Sequence, residues 1–264
     1  MDLLLKGKRA LVTGSTSGIG WATARELAAE GAHVILNGRD KARLASAVAR
    51  LQSELPQASI DGVAADLSTS AGCQQLLAAA GELDILVNNL GIFEPKAFEQ
   101  ISDDDWMRFF EVNVMSGVRL ARHHLVDMKA RGWGRIVFIS SESGICPPGD
   151  MVHYGMSKSA QLSVSRGLAE TCTGTGVTVN SVLPGPTRTE GVGEFFATLA
   201  REAGQTLEQA ERDFFKSGRP TSLLQRFIEP AEVAAMVAYV CSPRSAATNG
   251  AALRVDGGVV RSLI

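Results

Sequence analysis

The chain has little with which to bind a metal or cross-link itself. Its four cysteines, Cys73, Cys146, Cys172 and Cys241, lie far apart without CxxC spacing, and there are only four histidines. A disulfide framework or metal site is therefore not expected; free buried thiols are. No apolar run reaches the ~18 residues that a membrane helix needs. The opening MDLLLKGKRA holds three consecutive leucines before charge intervenes, too few for a signal-peptide core. Charge of one sign is missing as well. With 26 basic and 28 acidic residues the net charge is −2 and no long block of either sign occurs, which argues against nucleic-acid or membrane partners. There are no repeats, low-complexity tracts or Pro/Ser linkers. What is present, 264 residues that are 45% hydrophobic and 20% charged, suffices for one sizeable core and reads as a cytoplasmic protein of one domain, 1–264.

Short apolar runs alternate with helical patterns. Strands are predicted at 9–14, 33–38, 61–66, 83–89, 134–141, 177–185 and 252–258, most of them near-continuous in Val, Ile and Leu, as strands buried on both faces should be. Helices are predicted at 18–30, 40–53, 69–80, 103–130, 154–172 and 230–241 from apolar spacings of three and four. The alternation predicts an α/β fold: one doubly wound parallel sheet of about seven strands, helices on both faces, right-handed crossovers. Ligands of such sheets bind beyond the carboxyl ends of the strands, where strand order reverses.

The first strand runs into TGSTSGIG (13–20), a glycine loop that leads directly into a helix. Gly14, Gly18 and Gly20 let the backbone turn tightly and approach a pyrophosphate, whose charge then meets the positive helix N-terminus. The spacing is G-x-x-x-G-x-G, and a glycine-rich turn without ligand is the plainer alternative. At the end of the second strand, where NAD sites carry a carboxylate for the ribose 2′-hydroxyl, the sequence has Asn37 and Gly38, then Arg39. A guanidinium can pair with a 2′-phosphate, so NADP(H) is favoured over NAD(H), although Asp40 is adjacent. Asp66, ending the third strand, can accept from an adenine amino group or serve as a helix N-cap.

Taken together these pieces resemble the short-chain dehydrogenase/reductase superfamily. TGSTSGIG is similar to its cofactor loop and NNLG (88–91) to its N-N-A-G motif. Asn113 in EVNV, ISS (139–141), YGMSK (154–158), LPGPTRT (183–189) and the C-terminal RFIEPAEVAAMVAYVCSP and GAALRVDGG follow in order, so the resemblance spans essentially the whole chain. It implies a Rossmann-type fold, hydride transfer to or from a nicotinamide, and a homodimer or homotetramer. It also implies a catalytic set of Asn113, Ser141, Tyr154 and Lys158. Its cofactor contacts would be Gly14, Ser15, Thr16, Ser17, Gly18, Ile19, Gly20, Asn37, Arg39, Asp66, Leu67, Asn89, Gly91, Tyr154, Lys158, Pro184, Gly185, Thr187 and Thr189; no metal is implied. Leu90 departs from the small alanine of N-N-A-G, and Trp21 is bulky at the helix start.

On a helix, positions i and i+4 share one face, so Tyr154 and Lys158 can project into one cleft. An ammonium there favours the phenolate, lowers the tyrosine pKa and makes the phenol a usable acid or base. Ser141, matching the family's serine, would hold the substrate oxygen as charge develops; Ser140 should face away by strand alternation, and Ser143 fits the spacing less well. By resemblance Asn113 holds a water that links Lys158 to bulk. The segment 190–222, with Phe195, Phe196, Leu199, Phe214 and Phe215 at helical spacing, is either a mobile substrate lid or a helical pair packed on the body or a neighbouring subunit. The leading expectation is NADPH-dependent reduction of a 3-oxoacyl-type or related carbonyl. An NAD-dependent alcohol, polyol or steroid dehydrogenase is the second, and a dinucleotide sensor or scaffold without turnover the third.

Overall fold

The computed structural model describes residues 1–263. All seven apolar runs become strands: β1 (Arg9–Val12), β2 (His33–Gly38), β3 (Ile60–Ala64), β4 (Ile85–Asn88), β5 (Gly134–Ile139), β6 (Val177–Pro184) and β7 (Ala252–Val255). The helices are α1 (Gly18–Ala29), α2 (Lys41–Glu54), α3 (Ser70–Ala80), α4 (Asp103–Phe110), α5 (Ser116–Arg131), α6 (Val152–Glu170), α7 (Glu190–Glu202), α8 (Leu207–Asp213) and α9 (Pro230–Cys241). The strands form one parallel sheet in the order β3-β2-β1-β4-β5-β6-β7, so the order reverses between β1 and β4. This is the doubly wound arrangement the alternation predicts. Side-chain period two splits the apolar strand residues between two cores. Ala10, Val12, Val34, Leu36 and Val87 face α1, α2 and α9. Leu11, Ile35, Leu86, Ile136 and Phe138 face α3, α5 and α6.

The helix predicted over 103–130 is two helices joined by a π turn, Glu111–Met115, whose Ser116 N–H reaches back to the Glu111 carbonyl. The alternative of Asp66 as a helix cap also fails: Thr69 caps α3, and Asp66 Oδ1 instead accepts from the Ser68 N–H and hydroxyl. Of the four free thiols, Cys73, Cys172 and Cys241 are buried, but Cys146 is exposed because it lies in the loop before α6 rather than in an element. Residues 190–222 form α7, α8 and a second π turn, Phe214–Gly218. They pack on one another around Phe196, Phe215 and the distant Phe227 in a third apolar cluster. Among the described residues no helix is long and apolar enough to cross a membrane.

Candidate active site

A cavity of about 780 Å³ opens beyond the carboxyl ends of the paired strands β1 and β4, where the strand order reverses. Its floor is the glycine loop, one wall is the end of β5 with α6, and the other is α7 with the turn after α8. Ser17, Gly18, Ile19, Gly20, Asn89, Gly91, Ser141, Tyr154, Lys158, Pro184, Gly185, Thr187 and Thr189, all singled out by the sequence, line it.

The glycine loop is built to leave room. Gly18 has φ +57°, and a Cβ there would stand 3.1 Å from the Thr189 methyl. A Cβ on Gly20 would stand 2.4 Å from Asn89 Nδ2 and 2.5 Å from the Gly14 carbonyl oxygen. Asn89 braces the loop from β4, its amide donating to the carbonyls of Thr13 (2.9 Å) and Gly14 (3.0 Å). No side chain caps the first N–H groups of α1. A helix N-terminus left open towards a cavity, behind glycines that bring the backbone to its surface, fits a pyrophosphate.

Other predicted contacts lie outside this cavity. Ser15 is fully buried, its hydroxyl donating to the Val12 carbonyl and accepting from Asn37 N–H. Asn37 turns inward: Oδ1 accepts from Gly14 N–H and Nδ2 donates to the Val63 and Ala65 carbonyls, so its side chain stitches β1 to β3. Leu67 is buried in the core beside α3. Arg39 is exposed and makes no hydrogen bond or ion pair among the described residues. Asp40 is committed to α2, accepting from Arg43 N–H at 2.9 Å. Thr16 stands at the end of β2, where a Cβ on Gly38 would meet its methyl at 2.5 Å. Leu90 packs against Gly14, and Trp21 turns away from the loop to stack under the Arg50 guanidinium at 3.8 Å.

Ser141 ends β5, and its hydroxyl donates to Glu142 Oε2 at 2.5 Å while accepting from Ser143 N–H. Ser140 also borders the cavity, but its hydroxyl is committed to the Lys158 carbonyl at 2.9 Å. One turn apart on α6, Lys158 Nζ lies 5.6 Å from the centre of the Tyr154 ring. The ammonium donates to the Ile139 carbonyl at 2.9 Å and to Gln161 Oε1 at 3.3 Å. Asn113, on the π turn, is buried; its amide pairs both backbone groups of Ile92 and donates to Ser157 Oγ.

Sequence reasoning missed three participants. Glu142, 5% exposed, accepts from both Ser141 and Arg219 Nε (3.2 Å). Arg219 arrives from the far side of the α7–α8 segment, so no local spacing marked it. Gln161 follows Lys158 at i+3 on the same helix, a signal present but unused.

Burial pushes the Tyr154 phenol above its ordinary pKa, and the Glu142 carboxylate adds to the rise; the Ser141 hydroxyl and Arg219 oppose it. Burial also pushes the Lys158 ammonium down to about 7, with Glu142 opposing. The expected lowering of the phenol pKa by the lysine is thus reversed among the protein's own atoms. Loss of water penalises the charged form of each group more than its neighbours favour it.

A parallel sheet whose strand order reverses beside a glycine loop, with serine, tyrosine and lysine gathered there, defines an oxidoreductase of the NAD(P)-dependent dehydrogenase/reductase class. A family model described as short chain dehydrogenase matches residues 8–200. The chain belongs to that family. It is 52% identical over 263 residues to the oxidoreductase YvaG of Bacillus subtilis, covering 100% of each chain. It is 34% identical to the 3-oxoacyl-(acyl-carrier-protein) reductase FabG of Aquifex aeolicus, over 98% of this chain and 100% of that one. The L-sorbose reductase of Gluconobacter frateurii, solved with NADPH and L-sorbose, has the same fold at a TM-score of 0.93 and 31% identity, covering 100% of both chains.

Proposed function

We propose that the protein reduces a ketone of 3-oxoacyl or related type to the alcohol with NADPH. The observation that carries this reading is the convergence of Ser141, Tyr154 and Lys158 on the cavity whose floor is the open N-terminus of α1. The names of FabG and of the NADPH-bound sorbose reductase support it. When bound, the nicotinamide supplies the hydride. Gly18 to Gly20 would hold the pyrophosphate, Asn89 and Gly91 the adenosine ribose, Lys158 the nicotinamide ribose, and Pro184 to Thr189 the nicotinamide amide. NADP is favoured over NAD because Arg39 is unpaired at the end of β2 and Asp40 is spent as a helix cap.

Tyr154 gives its hydroxyl proton to the carbonyl oxygen as the carbonyl carbon is reduced, and Ser141 donates a hydrogen bond to the same oxygen. Its proton points at Glu142 in the structure, so Ser141 must rotate to do so. Lys158 stabilises the phenolate that remains. Val192, Phe195, Phe196, Leu199 and Phe214 give the α7–α8 segment an apolar wall towards the cavity, which suits it to close over an acyl tail. Exposed Met107 and Val126, on α4 and α5, leave apolar surface for a second copy in a cytoplasmic homodimer or homotetramer.

The test is Tyr154→Phe, assayed by NADPH oxidation with ethyl acetoacetate as the first member of a carbonyl panel. Turnover should fall by about 10² to 10⁴ while the NADPH dissociation constant holds. A variant that keeps its turnover refutes the assignment; NADPH binding with no turnover by the parent protein on any ketone favours the sensor.

A further inference from the structure

Beneath the tyrosine–lysine face lies a polar bridge that no catalytic role absorbs. Gln161 is 1% exposed. Its Nε2 donates to the backbone carbonyl of Asn113 at 2.5 Å, and its Oε1 accepts from Lys158 Nζ at 3.3 Å. The amide has one workable orientation: a carbonyl can only accept and an ammonium can only donate, so nitrogen must face Asn113 and oxygen must face Lys158. The Asn113 carbonyl lies within the π turn Glu111–Met115, where the ordinary helical bonding is interrupted. A glutamine from the neighbouring helix takes it up.

We propose that Gln161 is a positioning residue for Lys158, anchored on the π turn, which fixes the Nζ atom and stabilises its positive charge. Two acceptors from different elements then set the ammonium: the Ile139 carbonyl at the end of β5 and Gln161 Oε1. The charged groups facing Lys158 are few. Tyr154 shares its helix, Glu142 comes from the turn after β5, and Arg219 reaches Glu142 from beyond α8. A neutral oxygen dipole at 3.3 Å favours the ammonium over the amine, so its removal must make the proton easier to lose. The functional meaning rests on the proposed carbonyl reduction; the titration below does not.

The experiment follows the Lys158 ¹³Cε shift against pH in protein labelled with ¹³C-lysine, with Lys158→Met as the assignment blank. Gln161→Met keeps the volume but removes the acceptor, and should lower the titration midpoint by about one pH unit. Gln161→Glu places a carboxylate there and should raise it by a similar amount. Gln161→Ala replaces the methionine variant if that does not fold. In ethyl acetoacetate reduction, the alkaline limb of the kcat profile should move in the same two directions, with the KM for the ketone little changed. Midpoints that coincide with the parent protein's, or that move the same way in both variants, overturn the proposal whatever the enzyme turns over.

Discussion

Lys158 makes the stability of the fold depend on pH in a way that one substitution can isolate. In the unfolded chain its ammonium titrates near ~10.4; in the fold it is pushed down to about 7 by burial. Between those values the unfolded state binds one proton more than the native state, so stability rises with pH. The slope is about 1.36 kcal/mol per pH unit, or about 2 kcal/mol between pH 7.5 and 9. Lys158→Met removes that proton from both states. It leaves the Ile139 carbonyl and Gln161 Oε1 without a donor, which changes the absolute stability but not its slope. Tyr154 and the buried thiols of Cys73, Cys172 and Cys241 are held protonated and work in the opposite direction near pH 9 and above, equally in both proteins. Urea unfolding followed by tryptophan fluorescence at pH 7.5, 8.25 and 9 gives the two slopes. Their difference should be about one proton. Parallel slopes would refute the idea that this lysine is buried with its charge suppressed.

Gly20→Ala puts a methyl 2.4 Å from Asn89 Nδ2 and should break the brace between β4 and the glycine loop. Losing two hydrogen bonds costs about 1–3 kcal/mol, seen as a lower melting temperature, and NADPH affinity by fluorescence titration should drop at least about tenfold. Arg39→Ala should weaken NADPH binding by about 5- to 30-fold, the worth of one exposed charge-assisted contact, and leave NADH binding alone; equal effects on both would count against a 2′-phosphate contact. Glu142→Gln keeps an acceptor for Ser141 but deletes the charge that raises the Tyr154 and Lys158 pKa values. The acid limb for oxidation of ethyl 3-hydroxybutyrate by NADP should therefore move down by about one pH unit; a limb that stays put would exclude Glu142 from tuning the tyrosine.

The sheet was legible because strands covered on both faces read as apolar runs, and HVILNG became β2 residue for residue. Tyr154 and Lys158 were legible because helical spacing fixes which side chains share a face. The π turn at Glu111–Met115 was not, since one displaced hydrogen bond leaves an apolar pattern of threes and fours intact. Nor was the inward turn of Asn37: its position at the end of β2 follows from pattern, but its direction follows from three backbone groups that need partners. Arg219 and Phe227 meet the site through folding over long chain separations, which no window along the sequence samples.

The π turn also decides where this chain can change length. It carries an extra residue within a continuous helical rod, so deleting Val112 or Val114 would restore regular winding and turn the side chains of 111–115 out of their present positions. Asn113 would then lose register with Ile92 and with Gln161. The link between α7 and α8, residues 203–206, is exposed and spans no such register, so an insertion there lengthens a loop at small entropic cost. Variation in length among descendants of this gene should collect at the cavity rim and spare the rod beneath it.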